Sequence, residues 1–168
     1  MEAPITQQDV GPNAGSIMTT AVVTLTPTVT VIKATEKLIQ AGVSNAPVIE
    51  DLKHARLVGF ISVKDLLQCF ADGIFYTQPD LTIKSIMHLH PVRVTEEVDL
   101  YSLATIFIQF GFRHVPVVKD DVLIGIVSRR DVLQALNGRY LNWQKNGADM
   151  NKVPDIGAIF TRKFTIRK

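Results

Sequence analysis

The chain has 168 residues, 46% of them hydrophobic, enough to bury a substantial core. Eighteen basic and sixteen acidic residues leave a formal net charge of +2, too small and too scattered for a nucleic-acid surface. A lone cysteine, Cys69, excludes an internal disulfide and suits a reducing compartment, no apolar run approaches the ~20 residues of a membrane span, and the N-terminus has no basic-then-apolar leader pattern, so a cytoplasmic protein without membrane or nucleic-acid partners is expected.

Residues 1–15 are polar and hold Pro4, Gly11, Pro12 and Gly15, which predicts a mobile lead-in. A first repeat then spans 16–72. Val22–Leu25 reads as a short strand, and a helix is predicted from Pro27 and Thr28 to Gly42, with apolar residues at Val31, Ala34, Leu38, Ile39 and Ala41. Ala46–Ile49 and Leu57–Ile61 form a hairpin around the charged stretch Glu50–His54, and a closing helix opens at Asp65. Gly73 and Pro79 mark a connector over 73–84. The second repeat, 85–138, has a strand at Val92–Val94, a helix from Val98 to Phe110, a hairpin of Val115–Val118 with Val122–Val127, and one turn of helix after Asp131. The tail, 139–168, carries Trp143 and then an alternation of Phe164 and Ile166 that suits a sheet edge or a partner contact.

The two repeats share a set of residues in the same order. Ser16-Ile17-Met18 recurs as Ser85-Ile86-Met87, and Gly42 and Pro47 recur as Gly111 and Pro116, each 69 positions later. From Gly59, Ser62 and Asp65 to Gly125, Ser128 and Asp131 the offset falls to 66, because Lys119-Asp120-Asp121 makes a tighter hairpin turn than Glu50–His54. A β-α-β-β-α unit of this size cannot bury its own sheet face. The pattern predicts an α+β fold of two such units packed sheet to sheet about a pseudo-twofold axis, their apolar faces sharing one core.

Each unit ends in Gly, two apolar residues, Ser, two residues and Asp. The apolar pair reads as a buried strand and Ser as the N-cap of the helix that follows. Ser-x-x-Asp is close to a capping box and needs no ligand to explain it. The same junction also gathers a hydroxyl, free N–H groups and a carboxylate where a helix dipole favours an anion. Its recurrence in matching surroundings favours a binding role.

These features resemble a tandem pair of cystathionine-beta-synthase-type (CBS) domains, a Bateman module. They are the Ser-Ile-Met openings, the strands at Ala46-Pro47-Val48 and Val115-Pro116-Val117, and both Gly-apolar-apolar-Ser-x-x-Asp ends. The resemblance covers Ser16 to Leu136 and implies a regulatory module that binds AMP, ADP, ATP or S-adenosylmethionine and signals to an effector protein. It implies that Asp65 and Asp131 take ribose hydroxyls and that Ser62 and Ser128 face ribose or phosphate. One pocket would join Thr19, Thr20, Val22, Val43 and Ser44 to Ser128 and Asp131, and the other His88, Pro91 and Phe112 to Ser62 and Asp65. Arg113, His114 and Arg130 are candidate phosphate contacts, whereas Lys64 and Arg129 read as solvated surface charges.

No Walker loop and no nucleophile paired with a base is present, so an enzyme is not expected. His88-x-His90 without a third ligand does not define a metal site. The regulatory ligand is the sole small molecule implied, with no required cofactor. Phe70, Ile74, Phe75 and Tyr76 in one half and Ile106, Phe107, Ile108 and Phe110 in the other exceed what one small core needs, which predicts a homodimer through helix faces. A structural dimerisation module with degenerate pockets is the alternative reading.

Overall fold

Two exchanged opening segments organise this molecule. The computed structural model describes residues 11–145. In chain order the elements are α1 (Ala14–Ile17), α2 (Val31–Ala41), β1 (Asn45–Ile49), β2 (Leu57–Ser62), α3 (Val63–Ala71), α4 (Ile74–Thr77), a 3-10 turn at Ile83–Ser85, β3 (His88–Leu89), α5 (Leu100–Phe110), β4 (His114–Lys119), β5 (Val122–Ser128) and α6 (Arg129–Lys145). β1, β2 and β3 form one antiparallel sheet in that order, and β4 and β5 form a second.

β3 follows the second Ser-Ile-Met yet pairs with β2 of the first repeat, Phe60 opposite His88. Thr19, which follows the first Ser-Ile-Met, bridges Ile126 on β5 of the second repeat. Each segment then crosses back to its own repeat, where Leu25 makes a parallel bridge to Val48 and Val94 one to Val117. The packing follows the same exchange. Ala14, with Ile17 and Met18, packs in the core of Leu103, Phe107, Val115, Val117, Val127 and Val132. Ile83, with Ile86 and Met87, packs in the core of Leu25, Val31, Leu38, Val48, Ile61 and Leu66. Burying an aliphatic side chain such as Ile83 is worth about 1.5–3 kcal/mol, so each opening segment ties its own repeat to the other. There are thus two cores in place of the single shared one expected.

The repeated glycines belong to this exchange. A Cβ on Gly59 would lie 2.8 Å from Met87 Sδ and 3.2 Å from the His88 carbonyl oxygen, and one on Gly125 would collide with Met18. Gly in the strand and Met in Ser-Ile-Met are two halves of one contact, made across the repeats.

Other boundaries also move. Val22–Leu25 and Val92–Val94 form no strands, since each meets its sheet only at a single bridge. α2 begins at Val31, capped by the Thr30 hydroxyl that accepts from the Lys33 N–H at 3.4 Å, and not at Pro27. α5 begins at Leu100 because the Asp99 carboxylate accepts from the Tyr101 and Ser102 N–H groups at 3.0 Å. The lead-in is not loose up to Gly15: Asn13 and Ser16 form a reciprocal cap on α1, and Ala14 is fully buried with its N–H on the Val98 carbonyl at 2.8 Å. α6 runs through Gly138 to Lys145, far beyond one turn, so the first seven tail residues are helical. The expectations for 1–10 and for Phe164 and Ile166 lie outside the described residues. Ile106 and Phe107 are core residues, whereas Ile108 is exposed.

The two hairpins meet on the pseudo-twofold axis. The Leu57 N–H donates to the Asp121 carbonyl at 3.0 Å and the Leu123 N–H to the Ala55 carbonyl at 2.9 Å. At the other end of the sheets, Asn45 Nδ2 lies 2.7 Å from His114 Nδ1, joining residues 69 apart that occupy the same place in each repeat.

Candidate functional site

Each crossing segment walls a cleft. Between Thr19 and Leu25 the first crossing leaves the ladders, and Ala21, Val22 and Val23 line a cleft of about 320 Å3. Its other walls are Gly42, Val43, Ser44, Asn45 and Pro47 of the first repeat, and His114, Ile126, Ser128 and Asp131 of the second. The second crossing contributes His88, Pro91 and Val92 to a cleft of about 740 Å3, completed by Gly111, Phe112, Arg113 and Pro116 and by Phe60, Ser62, Val63, Lys64 and Leu67 of the first repeat. Ser44, Asn45 and His114 stand in both walls.

The strand-to-helix junctions place the carboxylates. At β5–α6, Asp131 Oδ2 accepts from the Ser128 N–H and hydroxyl, both at 2.7 Å, and the Asp131 N–H reaches Ser128 Oγ at 3.2 Å. At β2–α3, Asp65 Oδ2 accepts the same pair of bonds from Ser62, both at 2.7 Å. The capping box is therefore real at both ends and uses one oxygen of each carboxylate. The second oxygens differ. Asp65 Oδ1 accepts from His88 Nε2 at 3.0 Å, while no described residue bonds Asp131 Oδ1 with its side chain. Burial alone would push the Asp65 carboxyl up, but the hydrogen bonds from Ser62 and His88 outweigh it and hold the group below the usual carboxylate range.

His114 is half-buried between the clefts. Desolvation holds its imidazole below the ordinary histidine value, and neighbouring Arg113 adds to this against the opposing pull of Asp131. A neutral ring accepting from Asn45 at Nδ1 carries its proton on Nε2.

The CBS domain family model matches residues 14–72 and 83–138, both repeats and most of the chain. The chain belongs to the CBS domain family. Its relatives place this pair in very different company. It is 32% identical over 120 residues to an A-adding tRNA nucleotidyltransferase from Aquifex aeolicus (strain VF5), spanning 71% of this chain but only 14% of that enzyme. It is 30% identical over 121 residues to an uncharacterized 17.7 kDa protein in the bps2 3' region of Acidianus ambivalens, covering 71% of this chain and 70% of that protein. Among solved structures, CBSX2 in complex with AMP superposes with a TM-score of 0.68 at 29% identity, covering 77% of this chain and 99% of that one.

In the CBS pair, the first cleft gathers Thr19, Val22, Val43, Ser44, Ser128 and Asp131 from the residues singled out in the sequence. The second gathers His88, Pro91, Phe112, Arg113 and Ser62, with His114 in both. Thr20 and Arg130 are exposed and line neither cleft, and Asp65 lies behind His88. Lys64, read as a surface charge, lines the second cleft. Arg129 instead bonds the Phe112 carbonyl through Nε, fastening the turn beside that cleft. Sequence reasoning also passed over Phe60 and Ile126. Each lies two residues before its Ser on a strand, and so on the same face, a period that was available to read.

Proposed function

We propose that this CBS pair is a regulatory module that binds adenosine-containing ligands in its two clefts and passes the bound state to an effector protein, without catalysing a reaction. The observation that carries the reading is Asp131. Its Oδ2 is tied to the helix cap and its Oδ1 takes no bond from a described side chain, on a residue that lines a cleft of mixed polar and apolar walls beside a helix N-terminus. A carboxylate oxygen so placed accepts from vicinal ribose hydroxyls, and the Ser128 end with its helix dipole favours phosphate. The Val22 N–H is used on the Thr20 carbonyl at 2.9 Å, which leaves the Val22 carbonyl and the Val23 N–H and carbonyl, outside the ladders, to meet an adenine edge. The AMP bound by CBSX2 supports this ligand class. Ser62, Arg113 and His88 line the second cleft, with Asp65 behind His88 as the corresponding carboxylate.

A homodimer through helix faces belongs to the same proposal. Ile108 and Leu133 are 82% and 68% exposed on either side of a groove between α5 and α6 floored by Ala104, Phe107, Val132 and Leu136, and such adjoining apolar surface suits association. Among the described residues no helix is long and apolar enough to cross a membrane, and we place the module in the cytoplasm. The competing reading, a dimerisation module with ligand-free clefts, draws on the caps, which already explain one oxygen of each Asp. Native mass spectrometry of the purified chain with added AMP, ATP and S-adenosylmethionine separates the two. The proposal expects adducts that vanish on unfolding, and a chain that stays unliganded with all three refutes it.

A further inference from the structure

Both repeats end in Ser-x-x-Asp, but the second oxygens of the two carboxylates are not equally engaged. Asp131 lines its cleft, whereas Asp65 does not line the second one: its side chain is 15% exposed and His88 stands in front of it, Nε2 on Oδ1 at 3.0 Å. The position equivalent to His88 in the first repeat is Thr19, whose backbone pairs with Ile126 and whose side chain makes no bond to Asp131 among the described residues. Resting on the adenosine reading above, we propose that His88 is a selectivity latch on the second cleft, releasing Asp65 to ribose only for ligands that carry phosphate.

The chemistry follows from what shares that wall. Oδ2 already accepts two bonds from Ser62, and Oδ1, on a side chain only 15% exposed, is covered by the His88 imidazole, so a ribose coming from the cleft reaches this acceptor by displacing the imidazole. A neutral nucleoside offers the displaced N–H no anionic partner. A phosphate does, and it also meets Lys64 and Arg113 on the same wall. His88 is free to make the exchange, because its side chain is 69% exposed and sits on a two-residue edge strand. The first cleft has neither Lys nor Arg in its wall and no latch, so it accepts nucleoside and nucleotide alike.

Isothermal titration of the full chain with adenosine, AMP and ATP, for the parent and for His88→Thr, tests the latch. Adenosine is expected to fill one site per parent chain and AMP or ATP two. In His88→Thr, adenosine gains the second site, its affinity there rising roughly ten- to a hundredfold as the competing hydrogen bond is lost. Asp131→Asn in the parent background should abolish adenosine binding while leaving a nucleotide site. Two equivalent adenosine sites in the parent, or a single one in a folded His88→Thr, overturn the latch while leaving the adenosine reading intact. Failure of all three compounds to bind either protein refutes that reading, and the latch with it.

Discussion

Replacing Asp131 by Ala removes two separable things, and the structure says how large each is. The first is its part in the cap: Oδ2 accepts from the Ser128 N–H and hydroxyl at 2.7 Å each, and a carboxylate in the first helical turn contributes about 0.3–1 kcal/mol of stability. The second is the unengaged Oδ1 on the cleft wall. A charged hydrogen bond to ribose is worth about 1.5–3 kcal/mol, a loss of roughly ten- to a hundredfold in affinity. At a ligand concentration near a hundred times the parent's Kd, that cleft stabilises the parent by ~2.7 kcal/mol, and a thirtyfold weaker variant by only about 0.9 kcal/mol. In a chain of this size each kcal/mol moves Tm by about 2–4 °C. Thermal melts of both proteins, with and without AMP, should therefore show a lower unliganded Tm for Asp131→Ala and a ligand-induced rise smaller by about 4–7 °C. If the unliganded Tm falls but the two ligand-induced rises are equal, Asp131 is a cap alone and its assignment to ribose is wrong.

Gly59→Ala should destabilise the chain by about 1–3 kcal/mol in a urea titration, because its Cβ meets Met87 Sδ and the His88 carbonyl. An Ala that left stability unchanged or raised it, as an unhindered strand glycine would allow, refutes the interlock. His114 carries a signed pH dependence: its native pKa is lowered from 6.5 by burial, so below that value the unfolded chain takes up a proton that the native chain resists. Stability should be unaffected by this group above its ordinary pKa and lost as pH falls toward the lowered native one. In urea titrations from about pH 7.5 to about pH 5.5, His114→Asn should lose less stability than the parent, and parallel curves would contradict the assignment. Leu133→Asp, at a position 68% exposed in the single chain, should leave the melt within about 0.5 kcal/mol and convert a dimer to a monomer in sedimentation velocity. A parent that sediments as a monomer removes the dimer proposal.

Much of this architecture was legible because the chain states it twice. The 69- and 66-residue offsets fixed two units and placed the shorter turn, and the structure closes that turn with Asp120 and Asp121 at positive φ. The exchange was not legible as a packing event. Ser-Ile-Met has the same apolar character whichever core receives it, and the contacts of Met87 with Gly59 and Met18 with Gly125 exist only in the folded chain. Helix starts went astray where two cap candidates compete. Pro27-Thr28 and Thr30 both carry start signals, and Thr30 wins because the apolar period begins at Val31. The last helix is longer than the single turn expected after Asp131, because the polar sequence beyond the apolar run continues it through Gly138, where a Cβ would meet only open space. At the clefts, repeat symmetry made Asp65 and Asp131 look interchangeable. The difference lies in a third residue, Thr19 or His88, brought in from the other repeat, and a comparison of Ser-x-x-Asp with itself does not include it.

A crystal structure of the chain grown with AMP tests the central claim most directly. Ribose hydroxyls are expected on Asp131 Oδ1, adenine against Val22 and Ile126, and phosphate toward the Ser128 end. In the second cleft, His88 is expected to have turned from Asp65 to the phosphate. AMP bound elsewhere, or both clefts empty at saturating AMP, would contradict this placement.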